Sequence, residues 1–311
     1  MVPEAPLHAF ARDVVVAALG SECRVAGVQV MQGGLERAVL LVTLRNSPRR
    51  LVLKVADRVA GTGVDFARTS MVADLARTAG APVAAVIAVD VSYRIGPWAY
   101  LLQEHIDGTL WRDLRPLLDG EQLRASHRQL AEAVLAVQSV RFHAFGELGA
   151  SGEPAGVGLL DALRHRAELR IPDDPTRARF LAVLKQEAAS FAGAGAQAGA
   201  TLGHDDLHHS NVVFRPSRNG WRLAALLDWD KAWAAPPESD IARMAFWDNM
   251  TGPGFWEVYR AAVPASEGAD KRALIYQLLW CLEYVNRSPR HLADTAALWE
   301  RLGNERASGD S

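Results

Sequence analysis

The stretch Gly203-His204-Asp205-Asp206-Leu207-His208-His209-Ser210-Asn211-Val212-Val213-Phe214 and, downstream, Leu226-Leu227-Asp228-Trp229-Asp230 hold the residues best suited to chemistry. Phosphoryl transfer needs few protein parts. One carboxylate must orient the attacking hydroxyl and accept its proton, and further oxygen ligands must hold the magnesium that bridges the phosphates. Asp206 supplies the first part, and Asn211 and Asp228 the second. An irregular loop would bring Asp206 and Asn211 into one cleft, and an apolar strand ending at Asp228 would set its carboxylate beside them.

Several elements must position these groups. Val28–Met31, Val39–Leu44 and Leu51–Val55 are short runs rich in branched residues, separated by Gly33-Gly34 and Asn46-Ser47-Pro48, and predict a three-stranded meander. Val64–Ala79 predicts a helix stopped by Gly80 and Pro82, followed by strands over Val83–Val91 and Trp98–Glu104. After Gly108 the texture becomes helical. Glu121–Val140, Leu159–Leu169 and Thr176–Phe191 predict helices, Gly193–Gly203 a loop, Val212–Phe214 and Leu223–Leu227 a short β island, and 238–302 further helices before a frayed tail from Asn304.

The pattern His204-x-Asp206-x-x-x-x-Asn211, followed by a strand and Asp228, resembles the aminoglycoside phosphotransferase / choline kinase family. The resemblance implies an α+β, bilobal, protein-kinase-like fold. A β-rich N-lobe would span 1–105, and a mostly helical C-lobe with the catalytic loop and acceptor site 106–311. It implies Asp206 as catalytic base, Asn211 and Asp228 as magnesium ligands, His204 bracing the loop and Asp240 supporting it. It also assigns Lys54, on the third strand, to the nucleotide phosphates, and the loop at Gly33 and Gly34 to covering them. Backbone groups near Glu104 and Ile106 would bond the base. A lysine inside an apolar strand is costly to bury without an anionic partner, which agrees with that assignment.

The chain departs from the family pattern in places. Thr69 stands where the family has a glutamate paired with the lysine, leaving Asp65, in preference to Asp74, as the expected partner of Lys54. Asp205 stands where glycine is common. There it would either raise the Asp206 pKa, recruit a cation or, as the simpler reading, face solvent. Gln138, where many relatives have histidine, receives no role. Asp230 and Trp233, close to Asp228, are substrate-pocket candidates, and most other tryptophans belong to the core. Asp248, Glu257 and Glu283 lie in the region relatives use for acceptor recognition, where a cationic acceptor would want carboxylates. His204 and His208 share the spacing of helical zinc proteases, but Asp205 replaces the glutamate that chemistry needs.

Composition narrows the classes. The 311 residues are 49% apolar, with 36 acidic and 34 basic side chains and a net charge of −2, which excludes global disorder and argues against nucleic acid as main partner. The N-terminal segment reads as an amphipathic helix and no apolar run is long enough to span a bilayer. Cys23 and Cys281, far apart, read as buried thiols of a cytoplasmic protein. The expectation is a phosphotransferase using ATP or GTP with Mg2+ on a hydroxyl of a small molecule, foremost an antibiotic such as an aminoglycoside. The alternatives are a sugar, amino-alcohol or homoserine-like metabolite kinase, and a catalytically weak nucleotide-binding module.

Overall fold

The computed structural model describes residues 4–33, 37–57, 65–154, 156, 158–192, 199–284 and 288–309. Helix α1 (Glu4–Leu19) precedes strands β1 (Val25–Gly33), β2 (Arg37–Leu44) and β3 (Arg50–Asp57), then α2 (Phe66–Thr78), β4 (Val86–Asp90) and β5 (Trp98–Glu104). The strands form one antiparallel sheet in the order β1-β2-β3-β5-β4. The two faces of β3 follow from its period of two. Leu51 and Leu53 are fully buried among Leu7, Phe10 and Val14 of α1, whereas Val52 and Lys54 line a cleft on the other face. α2 starts where Asp65 accepts the Arg68 amide at 3.0 Å, a side-chain N-cap.

The rest of the chain is mainly helical, with two small sheets inserted. Strand β6 (Thr109–Leu110) leads through α3 (Trp111–Leu114) into α4 (Gly120–Gln138), which opens with a reciprocal Asp119/Gln122 cap and buries Leu130, Val134 and Val137. β7 (Arg141–Phe142), β8 (Gly146–Glu147), α5 (Leu159–Arg170) and α6 (Asp174–Gln186) follow. Next come β9 (Ala200–Gly203), β10 (Val212–Ser217), β11 (Gly220–Leu226) and β12 (Trp233–Ala235). The chain closes with α7 (Pro237–Phe246), α8 (Pro253–Ala262), α9 (Ala269–Leu282) and α10 (Pro289–Gly309). Strand orders are β11-β10-β6 and β7-β9-β12-β8.

Two sequence expectations change, and a further strand appears. Ala200–Gly203, expected as part of a loop, is a strand buried along its whole length. Its small residues are what the packing demands, because a Cβ on Gly203 would stand 2.6 Å from Ala235 Cβ. Trp233–Ala235 is likewise a strand, paired antiparallel with β9. The tail expected to fray from Asn304 continues as helix to Gly309. Among the described residues no helix is long and apolar enough to cross a membrane.

Candidate active site

Two connections build the site. β9 ends at Gly203 and delivers residues 204–211 as a loop, after which β10 and β11 return as a hairpin. The hairpin register pairs Val212 with Leu226, and the Leu227 amide donates to the Asn211 carbonyl at 2.8 Å. Asn211 and Asp228 therefore leave the same end of one hairpin. The loop is braced from below. Asp240, 1% exposed on α7, accepts the His204 amide at 2.8 Å and the Asp205 amide at 2.6 Å. His204 is fully buried against Trp229, with ring centroids 4.4 Å apart. Its Nε2 donates to the Leu227 carbonyl at 2.9 Å, so its Nδ1 is the acceptor for the Asp206 amide at 3.3 Å. Burial lowers its pKa, which keeps that neutral tautomer. The Asn211 amide nitrogen donates to the Asp206 carbonyl at 2.9 Å, and Asn211 lines the cleft.

Lys54 reaches across the cleft from β3. Its Nζ lies 2.8 Å from Asp228 Oδ1 and 3.7 Å from Asp230 Oδ1. Burial alone would raise the Asp228 pKa, but the ammonium holds it below the ordinary value. The cleft is a cavity of about 490 Å³ between Val39, Val52 and Lys54 above and Val213, Leu227 and Asp228 below. Its lining combines apolar side chains such as Val39, Val52 and Val213 with the charged Lys54, Asp228 and Asp230, an arrangement suited to a nucleotide.

The model for the phosphotransferase enzyme family matches residues 27–274, which takes in the cleft, the loop and the hairpin. The chain belongs to that family. A search of curated proteins found no match. Among solved structures, a thermostable mutant of aminoglycoside phosphotransferase APH(4)-Ia with ADP and hygromycin B is 20% identical, with 96% of this chain and 99% of that chain covered at a TM-score of 0.67. The GDP and kanamycin complex of APH(2")-IIia is 13% identical, covering 97% and 99% at 0.61. ADP-bound aminoglycoside phosphotransferase APH(2'')-Ib is 16% identical, covering 92% and 96% at 0.59. At these identities the likeness is one of fold, here the α+β, bilobal, protein-kinase-like fold.

Within this phosphotransferase the other expected residues are distributed unevenly. Glu104 and Ile106 line the cleft. The Glu104 amide is engaged by the Ala85 carbonyl at 3.0 Å, while the Ile106 amide has no partner among the described residues. Gly33 closes β1 opposite Ala38, and Gly34 lies outside the described residues. Asp65 spends its carboxylate on the α2 N-cap, and among the described residues Asp228 and Asp230 bring carboxylates to Lys54. Thr69 donates its hydroxyl to Asp230 Oδ1 at 3.0 Å. Asp230 thus lies at the end of the cleft where Lys54 meets Asp228. Trp233 is 1% exposed and packed under the Arg166 guanidinium at 4.6 Å, where it lines a small buried cavity beside Arg166 and Asp205 and not the cleft.

Asp205 points inward, not to solvent. It is 7% exposed, is bonded to Arg166 Nη2 and lies 3.0 Å from Arg243 Nη1. Arg166 also meets Glu147, and its Nε is 3.8 Å from Glu283. This buried network escaped the sequence reading because Arg166 comes from α5, far from the loop in the chain. Arg243 carried a faint signal, being one turn beyond Asp240 on the same helix. Lys231 also comes to the site, with its Nζ 3.9 Å from Asp206 Oδ1. Burial lowers its pKa, against the raising effect of Asp206 and Glu283.

The donor set can be tested for a metal. Among the described residues no three His, Cys, Asp or Glu side chains converge as a metal cluster. The cleft instead offers the oxygens of Asn211 and Asp228, with Asp230 beside them. Two or three hard oxygen donors with open positions suit magnesium, which keeps waters and takes phosphate oxygens for the remainder.

Proposed function

We propose that this phosphotransferase moves the γ-phosphoryl group of ATP or GTP to a hydroxyl of a small molecule, with 1–105 covering the nucleotide and 106–311 carrying the loop and acceptor site. The observation that carries the reading is the joint placement of Asp206, Asn211 and Asp228 at one end of a hairpin, with Lys54 2.8 Å from Asp228 across the cleft. The nucleobase lies in the apolar end of the cleft, against the backbone near Glu104 and Ile106. Lys54 turns from Asp228 to the α- and β-phosphates as they arrive. Magnesium held by Asn211 and Asp228 supplies neutralisation of phosphate charge. Asp206 aligns the acceptor hydroxyl with the γ-phosphorus and takes its proton, as the new O–P bond forms and the bond to the β-phosphate oxygen breaks with the electron pair leaving on the diphosphate. His204 and Asp240 hold the Asp206 backbone during this exchange.

The ADP and GDP in similar structures support nucleotide use of either kind. Hygromycin B and kanamycin in two of them support an antibiotic acceptor. The charges around Asp206 weigh toward a different acceptor. The weak-module reading rests on Thr69 in place of a glutamate, and the Thr69–Asp230–Lys54 contacts weigh against it, since they bring the lysine a carboxylate from another element. Asp206→Ala should lower kcat by about 10²–10⁴-fold at little cost in nucleotide affinity. Asp228→Ala should remove productive magnesium use. An acceptor screen with both nucleotides, read by product mass, tests this. Near-normal turnover in both variants would refute the assignment, and tight nucleotide binding without transfer to any acceptor would favour the module.

A further inference from the structure

The nucleotide fills one side of Asp206, so an acceptor aligned with the γ-phosphorus must come from the other. That side is walled by aromatic rings and furnished with cations. Lys231 Nζ donates to the Tyr284 hydroxyl at 2.7 Å and lies 4.3 Å from the centroid of its ring. Arg243 lies over Trp280 at 4.6 Å, with Nη2 3.7 Å from Asp206 Oδ1. Trp247 meets Trp280 edge-on at 5.4 Å and packs beside His208 at 5.6 Å.

A polycationic acceptor would need carboxylates with nothing else to neutralise, and the three expected in this region are already engaged. Glu283 is 3.8 Å from both Arg166 and Arg170 and 3.6 Å from Lys231. Glu257 is bound by Arg124 and Arg128, and Asp248 by Arg290 at 3.0 Å. The aromatic faces that could cage an ammonium already carry the protein's own cations, Lys231 on Tyr284 and Arg243 on Trp280. The unmet need is mostly for acceptors. The three Arg243 guanidinium nitrogens and the indole N–H groups of Trp247 and Trp280 are buried without a hydrogen-bond partner. Among the described residues of this region, the buried acceptors without a partner are Asp206 Oδ1, reserved for the incoming hydroxyl, and Glu283 Oε2. Asp205 holds Arg243 in place by charge, 3.0 Å away, without forming a well-directed hydrogen bond.

We propose that the acceptor is a hydroxyl compound bearing an oxyanion, a carboxylate or a phosphate, a few bonds from the reacting oxygen. The oxyanion sits on Lys231 with Arg243 beneath it while the hydroxyl meets Asp206. This deepens the phosphotransferase reading and rests on it.

The test offers the full-length chain, with MgATP or MgGTP, pyranoses matched in shape and differing in charge: D-glucuronate, glucose 6-phosphate, D-glucose and D-glucosamine, with kanamycin alongside. Malonate, which carries no hydroxyl, is titrated by tryptophan fluorescence into MgADP-saturated protein. The expected result is a kcat/KM at least tenfold higher for an anionic sugar than for the neutral and cationic ones, glucuronate and glucose 6-phosphate separating the two oxyanions. Malonate should bind saturably. Lys231→Met should raise its Kd and the acceptor KM at least tenfold, and Lys231→Arg should restore both to within about threefold, with MgADP titration showing that the variants are folded. Preference for glucosamine, glucose or kanamycin overturns the proposal. So does a Lys231→Met variant whose kcat falls while acceptor KM stays unchanged, since Lys231 would then serve the transferred phosphate. If no sugar is phosphorylated, Lys231-dependent malonate binding sustains the proposal and its absence overturns it. A parent protein that binds no MgADP would instead remove the phosphotransferase reading.

Discussion

Replacing Asp205 by glycine sets two opposed effects against each other at one position. Asp205 has φ of 59°, a left-handed conformation that costs an L-residue about 1 kcal/mol and that glycine adopts freely. On backbone grounds alone, D205G should stabilise the fold by that amount. The side chain argues the other way. Burial by itself would raise the carboxyl pKa, but Arg166 and Arg243 outweigh it and hold the pKa at about 2 in place of 3.8. That difference corresponds to roughly 2–3 kcal/mol favouring the ionised form in the folded protein. Removing one partner of a buried ion pair costs about 3–5 kcal/mol, because the remaining charge loses its compensation. The lost pair outweighs the relieved strain, and D205G should be less stable by about 2–4 kcal/mol. Because the folded pKa lies below the unfolded one, this contribution is complete well above pH 3.8, falls to about half by pH 3, and vanishes as pH drops through about 2. Urea unfolding followed by tryptophan fluorescence at pH 7 and pH 3 measures it. A D205G variant with a midpoint at or above the parent's at pH 7, and an unchanged denaturant slope, would show that the arginines do not depend on this carboxylate.

Two further outcomes follow from the same geometry. Burial and the neighbouring Asp205 push the Asp240 carboxyl up to about 6, so its protonated form is favoured in acid and it must ionise, at a cost in stability as pH rises through 6, to receive both loop amides fully. Turnover should therefore fall as pH drops through about 6, and Asp240→Asn should flatten that limb and lower the plateau about tenfold through the loss of one charge-assisted bond; an acid limb that persists in Asp240→Asn would belong to another group. Thr69→Val removes the hydroxyl that Asp230 accepts at 3.0 Å and should weaken nucleotide binding about fivefold, for about 1 kcal/mol, by calorimetric titration; unchanged affinity would mean that Asp230 is held by other contacts.

What the sequence disclosed and what it hid divide along a physical line. The β1–β3 meander and the β10–β11 hairpin were legible because runs of branched residues broken by turn residues are local signals. Once the hairpin is granted, the meeting of Asn211 and Asp228 follows from its register. β9 was hidden because a strand squeezed against β12 needs small residues, and Ala200-Thr201-Leu202-Gly203 reads as loop by composition. Asp205 and Trp233 were hidden because their partner is one arginine on α5, and no local pattern announces a long-range charge. Asp65 misled for the opposite reason: an acidic residue just before a helix has a local use, the N-cap, and it takes that use.

Thr69 stands where the family resemblance leads us to expect a glutamate, and the structure places a carboxylate from another element near Lys54. A threonine hydroxyl is too short to stand in for a glutamate carboxylate, yet it donates to Asp230, whose carboxylate stands 3.7 Å from Lys54. Arg68, the residue before it, bonds the Asp230 carbonyl and reaches the Ala232 carbonyl at 3.4 Å and Glu147 at 3.3 Å. Helix α2 therefore grips the segment after Asp228 by both backbone and side chain, and that segment presents two carboxylates to the lysine. The anion that α2 would otherwise carry is held on the C-terminal side of the cleft and tied to α2 by hydrogen bonds. The lysine and α2 thus remain coupled, because a shift of α2 would draw on the same segment that carries Asp228 and Asp230.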